Sequence, residues 1–180
     1  MNIVKRFYKH LWTITKHRHI VMMNCFKTGI FLQGLKHDLS KYSICEFVSG
    51  VKYYQGDKSP HVMERNINGY SMAWMHHKGR NKHHYEYWVD VNPKSRVYEP
   101  VEMPKKYLAE MFCDRVAASR VYNGKNYKKE DSLNYFLRAK NNIRMHENTR
   151  RDLEFLLRMC AKDGEDATFK YIKEKLKKEK

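Results

Sequence analysis

The run Gly34-Leu35-Lys36-His37-Asp38-Leu39-Ser40-Lys41 sets an imidazole beside a carboxylate and places a lysine three residues after them. An imidazole gives one nitrogen to one ion, whereas a carboxylate has two oxygens and can bridge two ions. A nearby ammonium can hold the anionic oxygen of whatever those ions bind. If His37 and Asp38 sat on a helix, they would point about 100° apart and meet one cavity from different angles.

Four of the ten histidines, His76, His77, His83 and His84, fall within nine residues, flanked by Trp74 on one side and by Tyr85, Tyr87 and Trp88 on the other. Gly79 and Asn81 favour a turn between the two pairs, which brings imidazoles from both to a common point. Lys78, Arg80 and Lys82 line the same edge with cations. An HNH nuclease also begins with paired histidines, but it needs its asparagine and last histidine farther along a strand-then-helix unit. That class is excluded by spacing.

The flanking periodicities supply two more candidates. Ile3, Phe7, Leu11, Ile14 and Val21 recur at helical spacing with His17 on the same line, so His17 is expected to turn inward. His19 lies on a second apolar line with Trp12, Met22 and Phe26, and periodicity alone does not choose between the two; His17 is favoured. Pro104 opens the clearest helix of the chain, whose inward line runs Tyr107, Met111, Asp114, Ala118 and Val121. Asp114 is the single charge on that stripe. A carboxylate there is costly unless it is paired or bound to a metal, and Arg115 beside it points elsewhere.

The elements that must carry these residues read as helices. Thr28-Gly29 ends or bends the first one, and His37 and Asp38 are expected at the C-terminal end of one short helix, just before a turn. Ser43-Ile44-Cys45-Glu46 has capping-box spacing and starts a helix carrying Phe47, Val48, Val51 and Tyr54. Residues 55–60 form a loop, and Val62 to His76 reads as a helix broken near Asn68-Gly69. Residues 90–103, with Pro93 and Pro100, form the longest irregular segment, a candidate lid. After a turn at 123–126, three apolar sets mark helices: Leu133, Phe136, Leu137 and Ile143; Leu153, Leu156, Leu157 and Cys160, closed by Gly164; and Phe169, Ile172 and Leu176. This last third carries no chemistry, and its lysines form a solvated face.

The expected fold is therefore all-α, a single helical bundle over 1–180 with about six to eight helices. Its metal-site core spans roughly 16–122 and its C-terminal helices 131–180. At 180 residues and 42% hydrophobic composition the chain can bury one sizeable core. Its 36 basic against 20 acidic residues, a formal charge of +16, favour anionic partners: nucleotides, nucleic acid or acidic surfaces. Cys25, Cys45, Cys113 and Cys160 make no CxxC pair, which argues against a zinc ribbon and for a reducing compartment. With neither a signal-peptide core nor an apolar run of membrane-spanning length, a soluble, cytoplasmic protein with no membrane partner is expected.

The order His17, His37-Asp38, further histidines, then Asp114 within Met111-Phe112-Cys113-Asp114-Arg115-Val116-Ala117-Ala118 resembles the HD-domain superfamily of metal-dependent phosphohydrolases over roughly 16–122. The likeness is closest to small uncharacterised bacterial and phage proteins sharing the HDLSKYS and HHKGRNKHHYEYW stretches. The resemblance implies that His17, His37, Asp38 and Asp114 ligate a first divalent metal. Asp38 would bridge to a second, held by members of the His76/His77 and His83/His84 pairs. Nitrogen and oxygen donors without cysteine suit manganese, iron, cobalt, nickel or zinc, and Lys41, Arg80 and Arg115 are candidates to hold a phosphate. The expected activity is phosphomonoester or phosphodiester hydrolysis on a small, anionic, nucleotide-like substrate. A di-iron oxygenase on the same fold and a non-catalytic, basic nucleic-acid-binding module are the alternatives.

Overall fold

In the computed structural model, which describes residues 1–178, the chain is a helical bundle with one small hairpin. The long first helix, α1 (Ile3–Thr28), is capped by Asn2, whose side chain accepts from the Lys5 N–H at 2.9 Å. It ends at Gly29, whose φ of 82° is a left-handed conformation open to glycine at no steric cost; the Ile30 N–H then closes back on the Cys25 carbonyl at 2.9 Å. The chain reverses into α2 (Phe31–Lys36), passes a 3-10 turn (Leu39–Tyr42) and continues through α3 (Ile44–Lys52), α4 (Pro60–Asn68) and α5 (Met72–Lys78). A hairpin of β1 (Val89–Val91) and β2 (Tyr98–Pro100), antiparallel with Asp90 opposite Glu99, precedes α6 (Lys105–Asn123). The bundle closes with α7 (Asp131–Ala139), α8 (Glu147–Asp163) and α9 (Glu165–Lys178).

The apolar core lies where α1 and α6 meet α7, α8 and α9. Val21 and Cys25 of α1 and Phe112, Cys113 and Val116 of α6 are fully buried there, with Phe136, Leu153, Leu157 and Phe169 completing it. Phe112 and Phe169 pack edge to face at 6.1 Å. Each large side chain removed from water contributes on the order of 1.5–3 kcal/mol, so this C-terminal half is the platform on which the rest is assembled. Asn24 bonds the Cys113 carbonyl at 3.3 Å and pins α1 to α6 inside it.

The all-α architecture agrees with the sequence reading, and the differences have physical causes. Nine α-helices are present among the described residues rather than six to eight, because the break near Asn68-Gly69 divides one expected helix into α4 and α5. Residues 90–103 are not an irregular lid: they carry the hairpin, and Pro100 is accommodated as the last residue of a two-stranded edge. Strands of three residues are too short to show alternation, and their side chains face solvent, with Tyr98 69% exposed. On α1 the inward line holds for Ile14, His17 and Val21, while Ile3 and Phe7 are exposed because the first turns project beyond the platform. On α6 the fully buried positions include Leu108, Ala109, Phe112 and Val116, and the expected stripe through Tyr107 and Asp114 is its half-buried edge. Helix α6 is wrapped on nearly every side, which erases a single-stripe pattern. Ile143 lies beyond α7, after a 3-10 turn at Lys140–Asn142. No helix among the described residues is long and apolar enough to cross a membrane.

Candidate metal centre

Helix α1 presents His17, and the turn at Gly29 folds α2 back against it. The close approach depends on Gly34, where a Cβ would fall 2.6 Å from that of Cys25. Arg18 completes the join: its Nε donates to the His37 carbonyl and its Nη2 to the Leu35 carbonyl, both at 2.8 Å. The two carbonyls at the end of α2 are thus satisfied by a guanidinium from α1. His37 and Asp38 do not lie on the helix. His37 is already extended, with φ −53° and ψ 128°, and Asp38 is left-handed, with φ 53° and ψ 24°. A non-glycine residue in that region costs roughly 1–2 kcal/mol, and here it turns the Asp38 carboxylate away from the helix end and into the bundle.

Two groups of donors meet at that carboxylate. On one side stand His17, His37, Asp38 and Asp114: Asp38 Oδ2 lies 3.3 Å from His37 Nε2 and 3.9 Å from His17 Nε2, and Asp114 Oδ1 lies 2.9 Å from His17 Nε2 and 3.7 Å from His37 Nε2. On the other side stand Asp38, His77, His83 and His84, with Asp38 Oδ1 at 3.3 Å from His77 Nε2 and 3.4 Å from His83 Nε2. Metal–ligand bonds of about 2.1 Å place neighbouring donors about 3.0–3.5 Å apart, and the contacts here run from 2.9 to 3.9 Å. Five of the converging atoms, His17 Nε2, His37 Nε2, Asp38 Oδ1, His83 Nε2 and His84 Nε2, are buried without a hydrogen-bond partner. Each such orphan costs roughly 1–3 kcal/mol, and a cation shared among them removes that cost. The buried groups could each hold a metal ion, with Asp38 common to both.

A second layer aims the rings. Glu110 Oε1 lies 2.9 Å from His37 Nδ1 and 3.2 Å from His83 Nδ1, so one oxygen orients one ring from each group. Glu46 takes His77 Nδ1 at 2.7 Å and His76 Nδ1 at 2.6 Å. Asn81 donates to the Ser40 hydroxyl and to the His77 carbonyl, both at 2.8 Å, and Ser40 lies 3.2 Å from His77 Nδ1. With every Nδ1 on His37, His77 and His83 engaged by a carboxylate, the Nε2 atoms are left for the ions. His37, His83 and Glu110 also form a close trio, but their Nδ1 contacts to Glu110 account for it.

The electrostatics follow from burial opposed by these partners. Burial disfavours charge on His37, yet Asp38, Asp114 and Glu110 outweigh it and hold the imidazole well above its usual range. His77 is raised in the same way, by Asp38 and Glu46 against burial. Burial wins at His17, which is lowered, and at His84, which His83 and His77 push further down. The carboxyls of Asp38 and Asp114 are buried too, but neighbouring histidines, and Lys41 for Asp38, hold both well below the carboxylate range. Glu110 is held at about 2 against burial by His37 and His83. The acids are therefore anionic donors at neutral pH. The cluster opens at Lys41 and Asp114, whose side chains are 23% and 19% exposed where those of His37, Asp38, His77 and His83 are at most 1% exposed.

The placement of the remaining sequence candidates is mixed. Lys41 sits at the site, its Nζ 2.6 Å from Asp38 Oδ2. His17 is buried within the first donor group, and His19 is exposed. His76 belongs to neither donor group: it is half-buried and bonded to Glu46, while its neighbour His77 points in. Arg80 is exposed and reaches only the His76 carbonyl, at 3.4 Å. Arg115 lies over the Phe136 ring at 5.9 Å, on the α7 side of α6 and away from the donors. Sequence reasoning missed Glu110 and Glu46. Glu110 precedes Asp114 by one helical turn, a visible i, i+4 relation, whereas Glu46 was read as a capping residue. The Ser43 side chain does accept from the Glu46 N–H at 3.5 Å, but the Glu46 carboxylate turns to the histidines instead.

No curated protein matches the chain, and no solved structure does. A family of unknown function, DUF5662, matches residues 6–159. That span holds every donor described above and ends within α8. The chain belongs to this family.

Proposed function

We propose that the chain is a divalent-metal-dependent phosphohydrolase of HD-domain type, acting on a nucleotide or a similar phosphate ester. The observation that carries the reading is Asp38, which gives one oxygen to each of two histidine-rich donor groups. A bridging carboxylate among nitrogen and oxygen donors, with no thiol, suits manganese, iron, cobalt, nickel or zinc. The chain order His17, His37-Asp38, Asp114 is also the order that the resemblance to HD-domain proteins calls for.

When bound, a pair of such ions supplies Lewis acidity to a phosphoryl oxygen and acidifies a water toward neutral pH. The residues do the rest. Asp38 and Asp114 stay anionic, and Glu110 and Glu46 hold three rings in one tautomer and orientation. Lys41, kept cationic by Asp38 against burial, stands at the mouth of the cluster, where it stabilises charge developing on the transferred group.

The test is metal analysis of the purified wild type beside Asp38→Ala, followed by phosphate release from a nucleotide panel with manganese, cobalt or nickel. Retained metal and phosphate release in the wild type, both lost in the variant, are expected. Absence of both from the wild type overturns the reading. Iron with oxygen consumption and no phosphate release assigns the site to a di-iron oxygenase. Steeply salt-dependent nucleic-acid binding that survives alanine at His37 and Asp38 assigns the chain to the basic binding modules.

A further inference from the structure

Beside the donor cluster, α1, the α3–α4 loop, the start of α4 and the end of α6 border a cavity of about 40 Å³ whose lining shares Lys41 and Glu46 with the roles above and none of the donors that meet at Asp38. A water takes roughly 10–15 Å³ on this scale, so the space fits about three waters or one small oxyanion. Lys41 and Lys58 stand on its wall. Glu46 is the one carboxylate of the lining, and its two oxygens are taken by His76 and His77. Ser59, Pro60 and His61 bring in the N-terminus of the nine-residue α4, which no side chain caps. The first turn of α4, the positive end of its dipole, therefore borders the space.

His10 supplies an independent observation. It lines the cavity, is 6% exposed, and its Nδ1 is buried without a partner. Gly50 seats the other side of the ring, since a Cβ there would fall 2.1 Å from His10 Nε2. The Nε2 edge is packed against Gly50, and Nδ1 is the buried ring nitrogen without a partner. The Nδ1 of His61 is likewise buried and unpartnered. A neutral imidazole donates one N–H, and left unmade in the interior that bond is costly.

We infer that this cavity binds the oxyanion head of a phosphate-bearing ligand. Lys58, His10 and His61 hold the oxygens of the head, and Lys41 links it to Asp38 and the donor groups. The inference deepens the phosphohydrolase reading by naming the subsite for the ligand's anionic group, and it can fail separately from it.

The test is calorimetric titration of the metal-treated protein with inorganic phosphate and, separately, with a nucleoside monophosphate. Wild type, Lys58→Ala and His61→Phe are compared, with metal content measured for each. Lys58 is an exposed side chain, so its removal leaves folding intact. Saturable phosphate binding, weakened about tenfold or more by each substitution for both probes at unchanged metal content, is expected, because charge-assisted bonds are the strong ones. Phosphate binding that ignores both substitutions, or no saturable binding by the wild type, overturns the inference. A nucleotide affinity that falls while the phosphate affinity stays constant also overturns it, since the cavity would then read the nucleoside. Phosphate binding with this mutational pattern but no bound metal sustains the subsite and removes the hydrolase reading. Metal and phosphate release with binding indifferent to both substitutions does the reverse.

Discussion

Lys41 Nζ lies 2.6 Å from Asp38 Oδ2, the oxygen that also faces His37 and His17. An ion held by the first donor group would share that carboxylate oxygen with the ammonium. Replacing Lys41 by methionine removes a positive charge from beside the ion and from the transferred group. Metal should be retained, while phosphate release falls roughly 100-fold or more, as when a charge-stabilising donor is deleted. Metal content and kcat measured on one preparation check both halves.

Asp38→Asn keeps a residue type that tolerates the left-handed backbone at φ 53° but gives up the shared anion. The variant should fold and lose both ions together. Retention of one full ion equivalent by the variant would show that the two donor groups bind independently of the bridge.

Glu110 stands outside the two donor groups that share Asp38 and meets His37 and His83 at Nδ1, behind the nitrogens that face Asp38. Glu110→Gln should weaken metal binding about 10–100-fold, the usual effect of losing such a partner. Competition with a chelator of known affinity reads the change, and circular dichroism should show helicity unaltered.

The platform should be separable from the chemistry. Phe112 is fully buried against Phe169, and Phe112→Ala should cost about 3–5 kcal/mol. The shift in urea midpoint measures it, with metal content per folded chain unchanged.

Acid should weaken the metal-free fold before any carboxylate titrates. His10 is lowered from 6.5 to about 4 by burial, with the Lys41 charge adding to it, and His61 is lowered to about 3 for the same reasons. The unfolded chain takes those protons first, so their contribution is complete above pH 6.5 and is lost as pH falls toward about 4 and about 3. His37 and His77 are raised, so their contribution is constant below pH 6.5 and is lost only as pH climbs through their folded values. Between pH 6.5 and 4.5 the lowered histidines decide the sign, and stability should fall. His61→Phe should flatten that fall in urea midpoints of chelator-treated protein.

Helical period made His17 and Asp114 legible, since a polar group on an apolar line has to be explained by what it faces, while His37 and Asp38 were marked by residue type and adjacency alone. His76 against His77 was not decidable, since neighbours differ by about 100° around a helix and only the position of Glu46 shows which one turns to Asp38. Glu110 and Glu46 were hidden because a glutamate that orients a distant histidine has no fixed spacing from it. Arg80 and Arg115 carried the right charge beside the right residues, but the charge of a side chain says nothing about its direction. The hairpin escaped because its strands are only three residues each, too short to show alternation.

The guanidinium of Arg18, clasping the carbonyls of Leu35 and His37, makes the aim of the bridging carboxylate a property of the longest helix rather than of the loop that bears it. Slippage of α1 by a single turn would carry Arg18 and His17 away together, dismantling the clasp and a ligand in one movement. An occupied centre should therefore act as a register lock. Slow amide exchange along the first helix, conferred by metal and abolished by chelation, would be its signature far from the ions themselves.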